Sequence, residues 1–116
     1  MNTLVLLNDP AYGTERSYNG LRLAHALAKR EDEQVRVFLL ADAVACARAG
    51  QQTPNGYYNL ERMLGAVIRH GAEVGLCGSC MDARGVREDE LVEGARRSSL
   101  DELTEWTLWA DKVVSF

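Results

Sequence analysis

The sequence has no long apolar run and no excess of basic residues, and each absence excludes a class of function. No stretch approaches the roughly 18 consecutive apolar residues that a transmembrane helix needs. The formal net charge is −4, whereas a nucleic-acid-binding surface usually presents clustered Lys and Arg. The basic pair Arg96-Arg97 is isolated and is predicted to be solvated. We therefore expect no membrane span and no nucleic-acid partner.

Signals for export and for a disulfide framework are also missing. The first residues lack the basic start and the small-residue cleavage site of a signal peptide. Three cysteines, an odd number, argue for reduced thiols with a chemical or packing role rather than for a set of disulfides. These observations together predict a cytoplasmic protein.

Patterns for nucleotide and metal binding are absent as well. The loop at residues 8–14 contains Gly13 but neither the glycine-rich dinucleotide motif nor the P-loop with its lysine. His25, His70 and Cys46 are not paired at the spacing of zinc ligands. We therefore expect neither a metal nor another cofactor.

What is present is an alternation of apolar runs and helical periodicity. Hydrophobic residues make up 47% and charged residues 26% of the chain, which is ordinary for one globular domain spanning residues 1–116. Apolar runs predict strands at residues 3–7, 35–40, 73–77 and 113–116, and i, i+3, i+4 spacing predicts helices at 18–28, 42–48, 60–68 and 100–110. The order predicts a three-layer α/β fold with a mostly parallel sheet of about five strands.

Several polar residues are predicted to cap these helices. Thr14 or Ser17 precedes the first helix, Asp42 the second and Asn59 the third, while Ser99 with Glu102 forms an S-x-x-E capping box. The charged segment 86–97 is open to three interpretations: a loop, a helical turn, or a short edge strand near Leu91-Val92.

Cys77 has the position expected of a reactive thiol. It ends the predicted strand 73–77, and Gly78-Ser79 then supplies residues that commonly open a helix. The unsatisfied N–H groups of a helix start stabilise a thiolate relative to a thiol. The alternative is that Cys77 and Cys80 are small buried fillers, since free cysteine is often buried.

Polar residues near Cys77 and in the first loop are predicted to share a pocket, because both follow strands whose carboxyl ends meet at one edge of a parallel sheet. Arg84 would balance a thiolate, and Asp82 would orient Arg84 or cap the helix. The competing interpretation is that these are unrelated surface charges. The predicted lining residues are Tyr12, Gly13, Glu15, Asp82, Arg84 and Gly85.

Three motifs give the chain a family resemblance. They are Leu76-Cys77-x-x-Cys80-x-Asp82-x-Arg84-Gly85, the Tyr-Gly-Thr-Glu loop at 12–15, and the ending Trp-Thr-Leu-x-Ala-Asp-Lys-Val at 106–113. Together they resemble the YchN-like branch of the DsrE/DsrF sulfur-relay family over nearly the whole chain. The resemblance implies a small three-layer α/β fold of the flavodoxin-like topology class.

The resemblance also implies function. Cys77, spaced from Arg84-Gly85 as in the family, would carry sulfane sulfur as a persulfide, and Cys80 would resolve that persulfide or be dispensable. Sulfur donor and acceptor proteins would be partners. Family members look like closed homo-oligomers, commonly hexamers, with the cysteine sites near subunit boundaries.

Two other functions remain open for the same residues. A non-catalytic oligomeric or regulatory module would leave the cysteines incidental. A dithiol oxidoreductase would use Cys77-Gly78-Ser79-Cys80, although the motif follows the third predicted strand and lacks the aromatic-Cys-Gly-Pro-Cys context.

Aromatic residues near element ends predict subunit contacts. Trp106 and Trp109 are three residues apart on one predicted helix, so one of them should reach outward. An outward tryptophan favours a partner surface. The polar loop at residues 50–58, which ends in Tyr57-Tyr58, is long enough to cover a neighbouring subunit's Cys77.

Overall fold

The computed structural model describes residues 1–116 and contains five strands and four α-helices. Two 3-10 helices, at Ala41–Ala47 and Glu88–Glu90, lie between them. In chain order the elements are β1 Asn2–Leu7, α1 Arg16–Ala28, β2 Gln34–Leu39, α2 Leu60–Arg69, β3 Glu73–Cys77, α3 Gly78–Ala83, β4 Ala95–Ser98, α4 Leu100–Trp109 and β5 Lys112–Ser115. No helix is both long and apolar enough to cross a membrane.

All five strands form one parallel sheet in the order β4-β3-β2-β1-β5. In its register Val5 lies opposite Val37, and Phe38 lies opposite Gly75. Helices cover both faces, which confirms the predicted three-layer α/β fold. The carboxyl ends of the strands therefore meet at one edge of the sheet, where β3 ends in Cys77.

The two faces of the sheet are packed differently, because successive strand residues point to opposite sides. On one face, α1 and α2 pack on the main core, which contains side chains such as Val37, Leu39 and Leu64. On the other face α4 lies alone, and only Leu4, Phe38 and Trp106 form a buried cluster there. We call these the α1/α2 face and the α4 face.

Trp106 anchors α4 to the sheet. Its ring meets Phe38 edge-on, with the ring centroids 5.9 Å apart. Gly75 makes room for it, since a Cβ at that position would lie 3.3 Å from the indole and 3.2 Å from Ser98 Cβ. Trp109 is half-buried and carries the Arg36 guanidinium 4.0 Å above its ring. The prediction that one tryptophan reaches outward is therefore confirmed, while the partner surface stays a prediction.

The predicted caps of α2 and α4 are confirmed. The Asn59 side chain accepts a hydrogen bond from the Arg62 N–H at 3.1 Å, and Ser99 Oγ accepts one from the Glu102 N–H at 3.2 Å. The carboxylate of Glu102 does not return to the backbone of Ser99, because it pairs with Arg96 and accepts from Ser98 Oγ.

The other two caps are wrong. No side chain caps α1: Ser17 Oγ donates to the Asp9 carbonyl at 2.7 Å, and Thr14 Oγ1 to the Asp9 carboxylate at 2.8 Å. The second helix is a 3-10 helix with no side-chain cap, and Asp42 instead accepts a hydrogen bond from Arg84. In both cases a partner outside the helix competes successfully for the polar group: Asp9 in the preceding loop for Thr14 and Ser17, and Arg84 for Asp42.

The open segment 86–97 contains more than one of the structures considered. Glu88–Glu90 forms a helical turn, and Leu91 makes an isolated antiparallel bridge to Arg48. The edge strand lies later than Leu91-Val92, at Ala95–Ser98, where it pairs with β3. Its sequence Ala-Arg-Arg-Ser has no β-branched residue, so its strand structure depends on backbone pairing with β3 and on the stacking of Arg96 over Trp106.

Candidate functional site

Cys77 occupies the junction between β3 and α3, and its sulfur caps the helix. Its backbone is extended, with φ −58° and ψ 114°, and its Sγ accepts a hydrogen bond from the Cys80 N–H at 3.3 Å. The Ser79 hydroxyl lies 3.3 Å from the same sulfur. A sulfur at this position takes the place of the oxygen of a Ser or Asp cap and faces the free N–H groups of the helix start.

These contacts make Cys77 the most acidic of the three cysteines. Partial burial opposes ionisation, but hydrogen bonds from the Cys80 thiol, the Ser79 hydroxyl and two backbone N–H groups outweigh it and lower the pKa of Cys77. Burial and the neighbouring Cys77 sulfur raise the pKa of Cys80. Burial in the α1/α2 face raises the pKa of Cys46 to about 11. A thiolate therefore forms first on Cys77.

Cys80 is held by a second segment of the chain. Its Sγ accepts a hydrogen bond at 3.2 Å from the backbone N–H of Ala41, which follows β2. Ala41 has a φ of 51° and is the only residue other than glycine with a positive φ. This left-handed conformation costs an L-residue about 1–2 kcal/mol. Strain of this kind is found where the surrounding structure holds a functional geometry in place.

A cavity of about 390 Å³ opens beside Cys77 on the α4 face. It lies between the ends of β2, β3 and β4 and the first turn of α4. Its lining residues are Phe38, Leu40, Cys77, Gly78, Ser79, Arg97, Ser98, Ser99, Leu100 and Leu103. Leu100 is 76% exposed, so the cavity is open to solvent and to a second molecule. Cys77 is therefore accessible from the surface.

Arg97 supplies the positive charge of this cavity. Its two Nη atoms donate to the two carboxylate oxygens of Asp82 at 2.8 and 2.9 Å. The guanidinium also lies close to the helix start, since a Cβ on Gly78 would come within 2.9 Å of Arg97 Cζ. The pKa of Arg97 is raised mainly by Asp82 and in smaller part by Cys77. The Asp82 carboxylate partly neutralises the charge that Arg97 presents to the sulfur.

The role predicted for Arg84 therefore needs correction. Its Nε donates to Asp42 at 2.8 Å and its Nη1 to the Cys80 carbonyl at 3.2 Å, so it lies on the side of Cys80. Asp82 does not orient it, because Asp82 pairs with Arg97. The side chains of the six-residue α3 diverge toward different partners. Arg97 was not among the predicted site residues, because it lies in segment 86–97, for which the sequence pattern left the structure open.

The first loop does not line the cavity either. Tyr12 Oη donates to Gln51 Oε1 at 2.7 Å and accepts from the Leu60 N–H at 3.1 Å. Its ring stacks on Tyr58 with centroids 5.9 Å apart, so it braces the 50–58 loop against α2. Gly13, Glu15 and Gly85 are also exposed outside the cavity lining.

The two histidines form a pair that the sequence pattern did not predict. The rings of His25 on α1 and His70 after α2 lie 5.1 Å apart. No group of three or more His, Cys, Asp or Glu side chains is arranged to hold a metal ion.

Comparison with known proteins assigns the chain to a family. The model of the DsrE/DsrF-like family matches residues 1–116. The chain belongs to the DsrE/DsrF-like family. It is 40% identical to Protein YchN of Escherichia coli over 114 residues, which cover 97% of each chain. The crystal structure of YchN from E. coli superimposes with a TM-score of 0.91 and covers 100% of both chains.

A more distant relative carries a functional name. Sulfurtransferase TusD of Salmonella typhi is 27% identical over 128 aligned positions, which cover 100% of each chain. The recognised resemblance to the YchN-like branch and the α/β fold are therefore confirmed.

Proposed function

We propose that this protein carries sulfane sulfur as a persulfide on Cys77. The observation that carries the proposal is the position of Cys77 Sγ: it caps α3, has a lowered pKa and opens into a cavity. Membership of the DsrE/DsrF-like family and the similarity to TusD support the same chemistry.

The transfer step follows from thiol exchange. The Cys77 thiolate attacks the outer sulfur of a donor persulfide, R–S–SH. The bond between Cys77 Sγ and that sulfur forms, the S–S bond of the donor breaks, and R–S⁻ leaves. Cys77 then holds the outer sulfur as Cys77–S–SH. The cavity has room for this added atom, and it is bordered by Ser79 and by Arg97, which pairs with Asp82.

Intact-mass analysis after incubation with glutathione persulfide tests the proposal. We expect added sulfur on Cys80→Ser, which keeps Cys77 but has no second thiol beside it, and on the wild type within seconds of mixing. Cys46→Ala should match the wild type, and Cys77→Ser should gain no sulfur. Cys46 is the matched control because it is a thiol in the same chain that is buried in the α1/α2 face. Loading of Cys77→Ser to the wild-type level would refute the assignment.

We also propose that the protein acts as a closed homo-oligomer, a hexamer in the simplest case, in a reducing compartment and with donor and acceptor proteins. Large apolar side chains on and beside the α4 face support assembly: Leu100 and Leu108 are each 76% exposed and Val113 is 45% exposed. Light scattering at micromolar concentration should give a multiple of the 12.8 kDa monomer mass. A single species at the monomer mass would contradict assembly.

A further inference from the structure

Cys77 and Cys80 are in direct contact because of where they stand in α3. Cys77 is the N-cap and Cys80 is the third residue of the helix, and side chains at these two positions face each other. The Cys80 N–H donates to Cys77 Sγ at 3.3 Å, and each thiol shifts the pKa of the other. Both cysteines are free thiols. The second thiol therefore belongs to the residue that binds the atom that would carry the persulfide.

The surroundings of Cys80 oppose its ionisation less once Cys77 no longer holds a negative charge. Burial raises the pKa of Cys80 most, and in the resting pair the Cys77 sulfur raises it further. Loading moves the charge from Cys77 Sγ to the outer sulfur. The Ala41 N–H, 3.2 Å from Cys80 Sγ, and the Arg84 guanidinium then act on Cys80, and both stabilise a thiolate.

We infer that Cys80 is a resolving thiol that gives this protein a second activity: reduction of its bound sulfane sulfur to hydrosulfide. This inference rests on the proposed persulfide at Cys77. The Cys80 thiolate attacks Cys77 Sγ, a Cys77–Cys80 disulfide forms, and the bond from Cys77 Sγ to the outer sulfur breaks. The outer sulfur leaves as HS⁻ with the electron pair of that bond. The sulfane sulfur gains two electrons, and the two thiols lose them.

A dithiol reductant closes the cycle. It reduces the Cys77–Cys80 disulfide by exchange, restores both thiols and is itself oxidised to a disulfide. Without a reductant each chain discharges once and stops. This behaviour distinguishes a resolving Cys80 from a small filler residue, which would leave the persulfide on Cys77.

A single-turnover experiment tests the inference. The full-length protein is mixed with glutathione persulfide, desalted rapidly and kept without reductant, while hydrosulfide is trapped with monobromobimane and the chain is analysed by intact and peptide mass. We expect the wild type to release one hydrosulfide per chain and to become two hydrogens lighter, with Cys77 and Cys80 joined. Cys80→Ser should stay one sulfur heavier and release hydrosulfide about tenfold or more slowly. Cys77→Ser measures the background, and Cys46→Ala should match the wild type.

The outcomes separate this inference from the proposed function. If neither the wild type nor Cys80→Ser gains sulfur and the wild type releases no hydrosulfide above background, the persulfide at Cys77 is refuted. If the wild type keeps its added sulfur, or releases hydrosulfide without forming the disulfide, only the resolving role is overturned. Should Cys80→Ser fold poorly, the mapped disulfide and the hydrosulfide released by the wild type decide the question by themselves.

Discussion

The two faces of the sheet differ in how completely they are covered, and the cysteines follow that difference. The α1/α2 face buries Cys46 completely and holds the main core. The α4 face has one helix, a buried cluster of three residues and the cavity beside Cys77. One face thus stabilises the fold, while the other leaves a thiol accessible. The same residue type is fully buried in one place and accessible in the other.

The largest expected difference is in alkylation of the two cysteines. Burial raises the pKa of Cys46 to about 11, whereas hydrogen bonds to its sulfur hold the pKa of Cys77 below the ordinary thiol value of about 8.5. At a pH below both pKa values, each unit by which a thiol's pKa is higher lowers its thiolate fraction tenfold. Cys77 should therefore react with iodoacetamide at pH 7 more than about a hundredfold faster than Cys46. As pH rises, the rate at Cys77 should level off first. Peptide mass spectrometry over time measures both rates, and equal rates would remove the contrast.

Truncating a leucine on each face compares their packing. Leu64 of α2 is fully buried in the main core, whereas Leu103 of α4 is half-buried. Leu64→Ala should lower the free energy of unfolding by about 3 kcal/mol because it leaves a cavity, and Leu103→Ala by about 1 kcal/mol. Urea denaturation of both variants measures the difference. A loss from Leu103→Ala as large as that from Leu64→Ala would show that the α4 face is packed as tightly as the other.

On the α4 face, two serines that line the cavity allow a test of whether a hydrogen bond to Cys77, rather than mere nearness to it, lowers its pKa. Ser79 hydrogen-bonds with Cys77 Sγ, while Ser98 Oγ donates to Glu102. Ser79→Ala should raise the pKa of Cys77 and slow its alkylation at pH 7 about fivefold, as expected for loss of one hydrogen bond to a thiolate. Ser98→Ala should leave the rate near the wild-type value. The pH dependence of alkylation measures both, and equal effects would argue against the hydrogen bond as the cause.

The smallest expected effect concerns Ala41, the strained residue that begins the first 3-10 helix. Ala41 has a positive φ, whereas Ala43, in the same 3-10 helix, does not and is fully buried. Ala41→Gly should raise the free energy of unfolding by up to about 1 kcal/mol, and Ala43→Gly should lower it by about 1 kcal/mol. Thermal or urea unfolding measures both changes. A loss of stability in Ala41→Gly would mean that the backbone there is not strained.

Features that depend on neighbours in the sequence were predictable. The caps at Asn59 and Ser99 need only a side chain and an N–H group three residues further on. The position of Cys77 is equally local, because a strand end and a helix start meet at one residue. The buried strands β1, β2 and β3 followed from their apolar runs.

Contacts between distant segments were not predictable in this way. The partners Arg97–Asp82, Arg84–Asp42 and Ala41–Cys80 are 15, 42 and 39 residues apart. Arg84 was predicted to line the pocket and Arg97 to belong to a solvated pair, and only the position of β4 beside β3 brings Arg97 to the cavity. The loop with Tyr12 follows β1, two strands away from β3, and packs on α2 instead.

The sequence alone therefore determined the α/β order of elements, the local caps and the sulfur at the start of α3, because these depend on interactions within a few residues. Only the tertiary structure decided that Arg97 lies beside Cys77 and Arg84 beside Cys80. It also decided that the Ala41 N–H donates to Cys80 and that one face of the sheet has a cavity. The physical reason is that a charged or hydrogen-bonding side chain pairs with the nearest partner in space. In a parallel sheet that partner is set by strand order, which brings together segments far apart in the chain.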